Sequence, residues 1–392
     1  MFNRVLFVVF DGFGIGSYVK DESYNSLENA LKRYDKSMVV KLKTLNSWGL
    51  SPLRKKKGNK EMVCACYGRT RQQSIFCDSF TAHWEMAGEV VNEGVTFANG
   101  VPEKYVKEIK DSIGLTFIGN ETCYEDLSLL DPKLLKRHRE EKKPILLTIP
   151  KCEPISTVSI MAYEDVIPFE KLDSYARRMA EVLKGENEIG RIVAKTLKDC
   201  DGYLNDGEKR ADYALFSPPD NNLLHALQNA GINTYATGKI NGLFNGEGFT
   251  KSKVSWDNKT VLDDTLQYFH EIEKGLVWAN FNSLDRPYGH KGDVSMWLET
   301  LAMYDDFLAM MKINITEKDL LILTGDHGCD PTGEGKHTRE WNPLFIYNPF
   351  IIPRDLGEHM HSNIGKTIAE NFGVNISSNA NSFMDKIVLY NK

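Results

Sequence analysis

Three aspartates and three histidines stand out because each follows, or lies close behind, a predicted core strand. They are Asp11, Asp285, His290, Asp326, His327 and His337. Taken singly, such an aspartate is usually a turn residue or helix cap, and such a histidine is usually a hydrogen-bonded structural residue. Taken together, side chains at the strand ends of one sheet converge on one rim. Carboxylate and imidazole ligands suit Mn²⁺, Zn²⁺ or Mg²⁺, and six of them exceed what one catalytic ion needs.

A pair of ions about 4 Å apart clamps both the attacking and the leaving oxygen of a phosphoryl group. A candidate acceptor lies in Cys77-Asp-Ser-Phe-Thr-Ala-His-Trp-Glu-Met-Ala-Gly88. A hydroxyl in such a turn becomes a phosphoryl acceptor once a metal lowers its pKa. The local sequence leaves a second interpretation open, in which Thr81 only caps a helix formed by His83–Ala87.

Alternating strands and helices are predicted to position these side chains. Val5–Phe10 is a short apolar run of the kind found in buried parallel strands. The glycines of Asp11-Gly-Phe-Gly-Ile-Gly16 permit a sharp turn at its carboxyl end, where open α/β sheets place ligands. Further strands are predicted at 276–281, 319–324 and 343–347, and helices at 294–312 and 363–372. The pattern predicts a doubly wound, mostly parallel α/β sheet.

The middle of the chain predicts a separate α+β domain. Strand-like runs at 144–149, 155–161 and 190–195 surround a helical run at 169–183. Prolines at Pro102 and in Ser217-Pro-Pro219 mark its edges. We therefore predict a catalytic core of residues 1–99 and 218–392, with residues 100–217 inserted as a cap domain.

Composition excludes several classes of protein. The 392 residues carry a net charge of −6, which argues against broad nucleic-acid binding. The seven cysteines are odd in number and irregularly spaced, without a C-x-x-C pair, as in a reducing compartment. Apolar runs are shorter than the roughly 20 residues of a membrane span, and the opening residues do not resemble a signal peptide. We expect a cytoplasmic protein with no membrane or nucleic-acid partner; the sequence does not indicate an oligomeric state.

Over nearly its whole length the chain resembles the phosphopentomutases of the alkaline phosphatase superfamily. That family's nucleophile motif reads close to Asp-Thr-x-Thr-Gly-His-Trp-Glu, and the chain has Asp78-Ser-Phe-Thr-Ala-His-Trp-Glu85. The family's first strand ends in Asp-x-x-Gly-Ile-Gly, as residues 11–16 do. Its Asp-x-x-Tyr-Gly-His, Asp-His-Gly-x-Asp-Pro-Thr and His-Thr-Arg-Glu elements match residues 285–290, 326–332 and 337–340, in the same order.

The resemblance implies a phosphoryl acceptor, two metal sites and a reaction. Thr81 would be the phosphorylated nucleophile. One metal would be held by Asp11, Asp326, His327 and Thr81, and the other by Asp285, His290 and His337. The ions would be two divalent cations, Mn²⁺ in each site. The enzyme would interconvert α-D-ribose 1-phosphate, or the 2-deoxyribose compound, and the 5-phosphate through a phosphothreonine enzyme and a bisphosphate intermediate.

In the predicted cap domain, several residues differ from those with which the family contacts its substrate. Arg210 precedes Ala-Asp-Tyr-Ala-Leu, a segment that resembles one whose arginine contacts substrate phosphate, so Arg210 is expected to bind substrate. Glu153-Pro-Ile155 stands where the family has Ser-Ala-Asp against the sugar, and Lys195 stands in place of a second arginine. Ala82 also replaces a glycine. These departures predict a sugar preference that differs from that of a standard phosphopentomutase.

Four alternatives remain open on the sequence. A mutase acting on another phosphosugar fits the altered cap. A cofactor-independent phosphoglycerate mutase shares the superfamily core, although those chains are longer and use a serine nucleophile. A phosphatase or phosphodiesterase would release free phosphate, and a non-enzymatic binding protein would be expected to lack part of the ligand set.

Overall fold

The computed structural model describes residues 1–20, 22–54, 62–93, 100–120, 130–148, 157–184, 189–200, 203–215 and 221–390. The chain divides into two compact units. The first comprises Met1–Val91, Pro218–Asn241 and Gly246–Lys392, and the second comprises Asn92–Ser217 and Gly242–Asn245. The edges predicted at 99/100 and 217/218 adjoin or fall within stretches outside the described residues.

The described elements alternate between strand and helix along much of the chain. The strands are β1 (Arg4–Phe10), β2 (Cys66–Arg71), β3 (Ile145–Leu147), β4 (Thr157–Tyr163), β5 (Arg191–Cys200), β6 (Tyr203–Ala214), β7 (Asn233–Thr237), β8 (Lys251–Lys253), β9 (Gly275–Phe281), β10 (Asp319–Gly325), β11 (Asn342–Tyr347) and β12 (Asp355–Met360). The helices are α1 (Ser26–Arg33), α2 (Lys43–Trp48), α3 (Leu50–Arg54), α4 (Ser79–Met86), α5 (Glu103–Ile113), α6 (Pro132–Glu141), α7 (Phe169–Leu183), α8 (Leu223–Asn229), α9 (Ile240–Leu243), α10 (Asn258–Glu271), α11 (Tyr288–Lys291), α12 (Val294–Asn314) and α13 (His361–Phe372). Short 3₁₀ turns lie at Lys36–Lys41 and Met384–Lys386. Among these helices none combines the length and apolarity that a membrane crossing requires.

The first unit is built on an eight-stranded sheet. Its strand order is β12-β2-β11-β10-β1-β9-β7-β8. Among these described strands only β11 runs antiparallel to its neighbours, and every other pairing is parallel. The predicted mostly parallel α/β sheet is therefore confirmed, with one reversed strand that the sequence did not single out.

Both faces of the central strands are covered, which explains their unbroken apolar sequences. Phe10 of β1 packs beside Tyr304 of α12, with ring centroids 4.9 Å apart. Phe7 points to the opposite face and meets Trp278 of β9 at 5.1 Å. The Trp278 ring in turn stacks on His83 of α4. Helices thus pack against both faces of the sheet, as the doubly wound pattern predicts.

The second unit has a four-stranded sheet in the order β3-β4-β5-β6. The β4–β5 pair is parallel, and the two outer pairs are antiparallel. Helix α7 spans the residues predicted for it and buries Leu172, Ala176, Met179 and Leu183 along one face. This mixed sheet and its helices form an α+β unit, as the sequence of this region predicts.

In the first unit, the N-terminus of helix α2 is capped by a residue far away in the sequence. Leu42, which precedes α2, offers no side-chain cap. Instead Asp305 of α12 accepts hydrogen bonds from the backbone N–H groups of Thr44 (2.9 Å) and Leu45 (2.7 Å). A buried carboxylate at this position satisfies donors that the helix leaves unpaired and complements the positive end of its dipole.

We predict that Asp305→Ala lowers the free energy of unfolding by about 1–3 kcal/mol, because two buried backbone donors lose their acceptor. Urea unfolding followed by circular dichroism measures the change. Asp306→Ala is the matched control, since Asp306 is the exposed neighbour on the same helix, and it should stay within about 0.5 kcal/mol of the wild type. Equal effects of the two substitutions would show that Asp305 does not anchor α2.

Candidate functional site

The carboxyl ends of three adjacent parallel strands meet at one place on the edge of the large sheet. Phe10, the last residue of β1, lies in register with Phe281 of β9 and Gly325 of β10. Asp11 and Asp326 directly follow β1 and β10, so the sheet itself delivers their side chains to the same point. This is the rim at which open α/β sheets bind ligands.

A glycine allows the loops at this rim to come close together. Gly12 has a positive φ of 80°, and a Cβ built on it would lie 3.0 Å from Cα of Asp285. Its N–H donates to Oδ1 of Asp326 at 3.0 Å. A larger residue at this position would separate the first strand from the loop that carries Asp285.

The six predicted aspartates and histidines come together at this rim. Two groups have one ligand atom from each member within 4.8 Å of one another: Asp11, Asp326 and His327, and Asp285, His327 and His337. Nε2 of His290 lies 3.3 Å from Oδ1 of Asp285, and Nε2 of His337 lies 3.4 Å from the same atom. His327 and His337 are stacked, with ring centroids 4.0 Å apart.

Backbone carbonyls fix the orientation of all three histidines. In each ring Nδ1 lies at hydrogen-bond distance from a carbonyl oxygen: His290 with Gly335 (2.7 Å), His327 with Gly328 (3.1 Å) and His337 with Cys77 (3.0 Å). Because a carbonyl oxygen can only accept, Nδ1 carries the hydrogen in the neutral ring. Nε2 then presents its lone pair toward the carboxylates, which is the arrangement that metal-binding histidines adopt.

The resulting cluster consists of acceptors that face other acceptors. Nε2 of His327 lies 3.7 Å from Oδ1 of Asp11 and 3.4 Å from Oδ2 of Asp326. Oδ1 of Asp285 and Oδ2 of Asp326 are buried, and neither accepts a hydrogen bond from the residues that the structure describes. Buried lone pairs this close are unfavourable unless a cation lies among them. The donor set therefore fits divalent metal ions, whose ligands are carboxylate and imidazole.

Burial and neighbouring charges shift the pKa values of these side chains in different directions. Burial, with the charge of Asp11 nearby, raises the pKa of Asp326 to about 7. Burial lowers the pKa of His327 to about 3, so its ring is neutral and able to bind metal. Burial alone would raise the pKa of Asp285, but His290 and His337 hold it well below its usual range.

Lys239 is a site residue that the sequence did not single out. It follows β7, the neighbour of β9, after Gly238, whose φ is 79° and where a Cβ would collide with the carbonyl of Asn280. Its Nζ forms an ion pair with Asp11 and donates to Oγ of Ser79 at 2.7 Å. The available sequence signal was Thr-Gly-Lys directly after a strand-like run. It would have indicated that a fourth strand ends at the same rim of the sheet and is followed by a lysine.

Ser79 provides the hydroxyl at the centre of the cluster. It is the first residue of α4, and Asp78 caps the helix before it. Oγ lies 3.2 Å from Oδ1 of Asp11 and 3.1 Å from Nε2 of His327. With Lys239 also in contact, this hydroxyl meets a carboxylate, an imidazole and an ammonium group at once. Ser79 stands where the family motif has its first threonine, which was the available signal.

The structure does not bring Thr81, the predicted acceptor and metal ligand, to this cluster. Its Oγ1 accepts from Nε2 of Gln72 (2.8 Å) and donates toward Oδ1 of Asp78 (2.9 Å) and the carbonyl of Phe76 (3.1 Å). Its N–H donates to Asp78 as well. Two positions apart on a helix, Ser79 and Thr81 point about 200° apart. Thr81 therefore lies inside the first turn of α4 and is bonded to the capping residue Asp78; it does not itself cap a helix at His83–Ala87, because α4 begins at Ser79.

The predicted substrate residues lie in the second unit, on neighbouring strands. Arg210 of β6 donates to Asp212 through Nε and Nη2, each at 2.7 Å. Lys195 of β5 is buried and lies in register with Arg210. Arg191, not predicted, reaches the same Asp212 at 3.5 Å. Glu153 lies outside the described residues.

Comparisons with known proteins give consistent results. A family model described as the metalloenzyme superfamily matches residues 222–376. A phosphopentomutase from Caldanaerobacter subterraneus subsp. tengcongensis is 31% identical over 99% of this chain and 99% of that protein. A phosphopentomutase from Desulfitobacterium hafniense is 31% identical over 98% of this chain and its own full length. Among solved structures, a Leishmania mexicana phosphoglycerate mutase is similar with a TM-score of 0.48 at 14% identity, covering 100% of this chain and 98% of that one.

We predict that Lys239→Met destabilises the metal-free protein by about 3 kcal/mol, because a buried carboxylate loses its cationic partner. Urea unfolding in the presence of EDTA measures the change. The control is Lys259→Met, which removes an exposed ion pair with Asp263 and should cost less than about 1 kcal/mol. If both variants unfold at the same urea concentration, Lys239 does not balance the charge of the site.

Proposed function

Because the chain belongs to the phosphopentomutase family and is a metal-dependent phosphomutase, we propose that it interconverts α-D-ribose 1-phosphate, or 2-deoxyribose 1-phosphate, and the corresponding 5-phosphate. The observation that carries the proposal is the position of Ser79, whose hydroxyl contacts Asp11, His327 and Lys239. A hydroxyl held among a carboxylate, an imidazole and a cation is suited to accept and return a phosphoryl group.

We assign the acceptor role to Ser79 in place of Thr81. In the proposed cycle phosphorylated Ser79 transfers its phosphoryl group to the free hydroxyl of the sugar phosphate. That hydroxyl loses its proton, and the released Ser79 oxygen takes up a proton to become a hydroxyl again. The O–P bond to Ser79 breaks and the sugar becomes a bisphosphate. The bisphosphate then turns and gives its other phosphoryl group back to Ser79, so phosphate is conserved and the sugar leaves with its phosphate moved.

Two divalent ions are proposed to be held by the clustered ligands, with Mn²⁺ at the carboxylate-rich first site. The first set is Asp11, Asp326 and His327, and the second is Asp285, His290 and His337. When bound, such ions neutralise charge on a transferring phosphoryl group and hold its oxygens in line. The support is the convergence of buried acceptors described above, in which Oδ1 of Asp285 and Oδ2 of Asp326 accept no hydrogen bond from the described residues.

Protein groups other than the metal ligands also act on the phosphoryl group. Ser79 is the first residue of α4, so a phosphate on it lies at the positive end of the helix dipole. Lys239 places an ammonium group 2.7 Å from Oγ, where it orients the hydroxyl and offsets negative charge. Asn280 donates to Oδ2 of Asp11 at 2.9 Å and holds that carboxylate in place.

Sugar specificity is proposed to depend on Arg210, Lys195 and Glu153. Arg210 is oriented by its paired hydrogen bonds to Asp212 and places a guanidinium charge on β6. Lys195 supplies charge without the two-pronged geometry of an arginine. This departure favours a second candidate function, a mutase of the same superfamily that prefers a different phosphosugar.

We predict that Ser79→Ala lowers conversion of ribose 1-phosphate by about 10⁴-fold or more, the scale of losing a nucleophile. Phosphorus NMR with Mn²⁺ follows the reaction, and peptide mapping locates the phosphate. Thr81→Ala is the matched control; it should keep activity within about tenfold and lose stability, because it removes a capping contact. Phosphate mapped to Thr81, or full turnover by Ser79→Ala, would refute the assignment. Net release of phosphate by the wild type would instead identify a phosphatase.

We also predict that ribose 1-phosphate is a weaker substrate than it is for a standard phosphopentomutase, and that Lys195→Arg raises its kcat/KM by about tenfold, since an added two-pronged contact is worth about 1–2 kcal/mol. A panel of sugar 1- and 5-phosphates under one metal condition measures this. Lys198→Arg, on the exposed part of the same strand, is the control. A wild-type kcat/KM of about 10⁵ M⁻¹s⁻¹ for the ribose compounds, unchanged in Lys195→Arg, would show that the substitution is neutral.

A further inference from the structure

A cysteine lies beside the second proposed metal site, and the proposed function does not use it. Asp285, His290 and Cys329 place one ligand atom each within 4.8 Å of one another. Cys329 is fully buried. We propose that the Cys329 thiolate is a further ligand of the ion held by Asp285 and His290, and that it makes this site bind zinc or cobalt in preference to manganese. The inference rests on the proposed function for the existence of that site.

Two glycines fix the position of the sulfur. The N–H of Cys329 donates to the carbonyl of Gly12 at 3.1 Å, which ties the residue to the turn after β1. A Cβ built on Gly289, the residue before His290, would lie 2.6 Å from Sγ of Cys329. The same Cβ would lie 2.4 Å from the carbonyl oxygen of Leu284, so glycine at this position lets the loop that carries His290 approach both groups.

A second observation, which does not involve the cysteine, indicates a cation-binding site at this position. Oδ1 of Asp285 is buried without a hydrogen bond from the described residues, and Nε2 of His290 lies 3.3 Å from it. Nδ1 of His290 donates a hydrogen bond to the carbonyl of Gly335, so Nε2 of the neutral ring offers a lone pair. A structural cysteine packs as a small apolar group, whereas Cys329 lies among oxygen and nitrogen acceptors. Ligand atoms of one tetrahedral zinc ion, with bonds of about 2.0–2.3 Å, lie roughly 3.3–3.8 Å apart, so the three atoms, which lie within 4.8 Å of one another, would draw slightly closer when the ion binds.

Sulfur changes which metal the site prefers. Thiolate ligands favour zinc and other softer ions, while carboxylate-rich sites suit Mn²⁺ and Mg²⁺. With His337 the second site would offer one oxygen, two nitrogens and one sulfur, the number and kind of ligands that zinc takes. The thiol gives its proton to solvent when the metal binds. The first site keeps two carboxylates and one imidazole, so the two ions would differ in kind.

Cobalt(II) tests the proposal by absorption spectroscopy, without reference to activity. The full-length protein loaded with Co²⁺ should show a near-ultraviolet sulfur-to-cobalt charge-transfer band, and Cys329→Ser should lose it. Cys66→Ser is the matched control, since Cys66 is a buried cysteine of β2 outside the cluster, and it should keep the band. The affinity for Zn²⁺ relative to Mn²⁺ should fall by about 10–100-fold in Cys329→Ser only. A band that persists in Cys329→Ser would overturn the proposal.

A second measurement needs no variant. X-ray absorption of the zinc-loaded wild type should show a sulfur neighbour at about 2.3 Å, and a shell of nitrogen and oxygen alone would overturn the proposal. Counting bound cobalt separates this inference from the proposed function. If Asp285→Asn binds one ion fewer than the wild type while the Cys329→Ser spectrum is unchanged, the metal site stands and the sulfur ligand fails. A wild type that binds no cobalt would overturn both.

Discussion

Buried carboxylates and imidazoles that converge on one point impose the main constraint on this molecule. At the edge of the large sheet, carboxylates and imidazole lone pairs lie 3.3–3.7 Å apart, and the three carboxylates are buried. Positive charge has to be supplied at that point. The parallel strands that carry the carboxylates, the carbonyls that orient the rings and the ammonium group of Lys239 all serve this requirement. The apolar sequences of β1, β9 and β10 make the enclosure possible.

Helical geometry decides between two hydroxyls of the same short motif. Ser79 and Thr81 share a helix N-terminus, yet one faces the cluster and the other faces the capping carboxylate of Asp78. The two hydroxyls therefore have different surroundings, although Thr81 was the residue predicted to lie at the metal site. Asp78 accepts hydrogen bonds from Thr81 that fix the first turn of α4. The same turn sets the direction in which the Ser79 side chain points.

The sequence predicted those features that depend on local pattern. Buried parallel strands are apolar on both faces, so β1, β9 and β10 were evident, and their following residues supplied all six clustered ligands. The edge strand β12, Asp-Leu-Gly-Glu-His-Met, is polar and half exposed, so periodicity did not reveal it. To predict Lys239 as a site residue, one would have to know that β7 lies beside β9. The Asp305 cap could not be predicted from local pattern either, because it joins residues about 260 positions apart. Choosing Ser79 over Thr81 required the phase of a helix whose start the sequence left uncertain.

His327 and His337, at the two ends of one loop, both lie in the proposed metal-binding cluster, and this has a consequence for the stability of the folded chain. Between His327 and His337 the backbone is joined by paired hydrogen bonds of Gly328 with Thr338, and Gly335 is bonded to His290. Ions bound at the cluster of the folded chain would act as removable cross-links between the two ends of this loop. Such a cross-link contributes according to concentration, about 2.7 kcal/mol when the free metal is 100 times its dissociation constant. The metal supply of the cell would then set how long the folded chain survives, as well as how fast it turns over substrate.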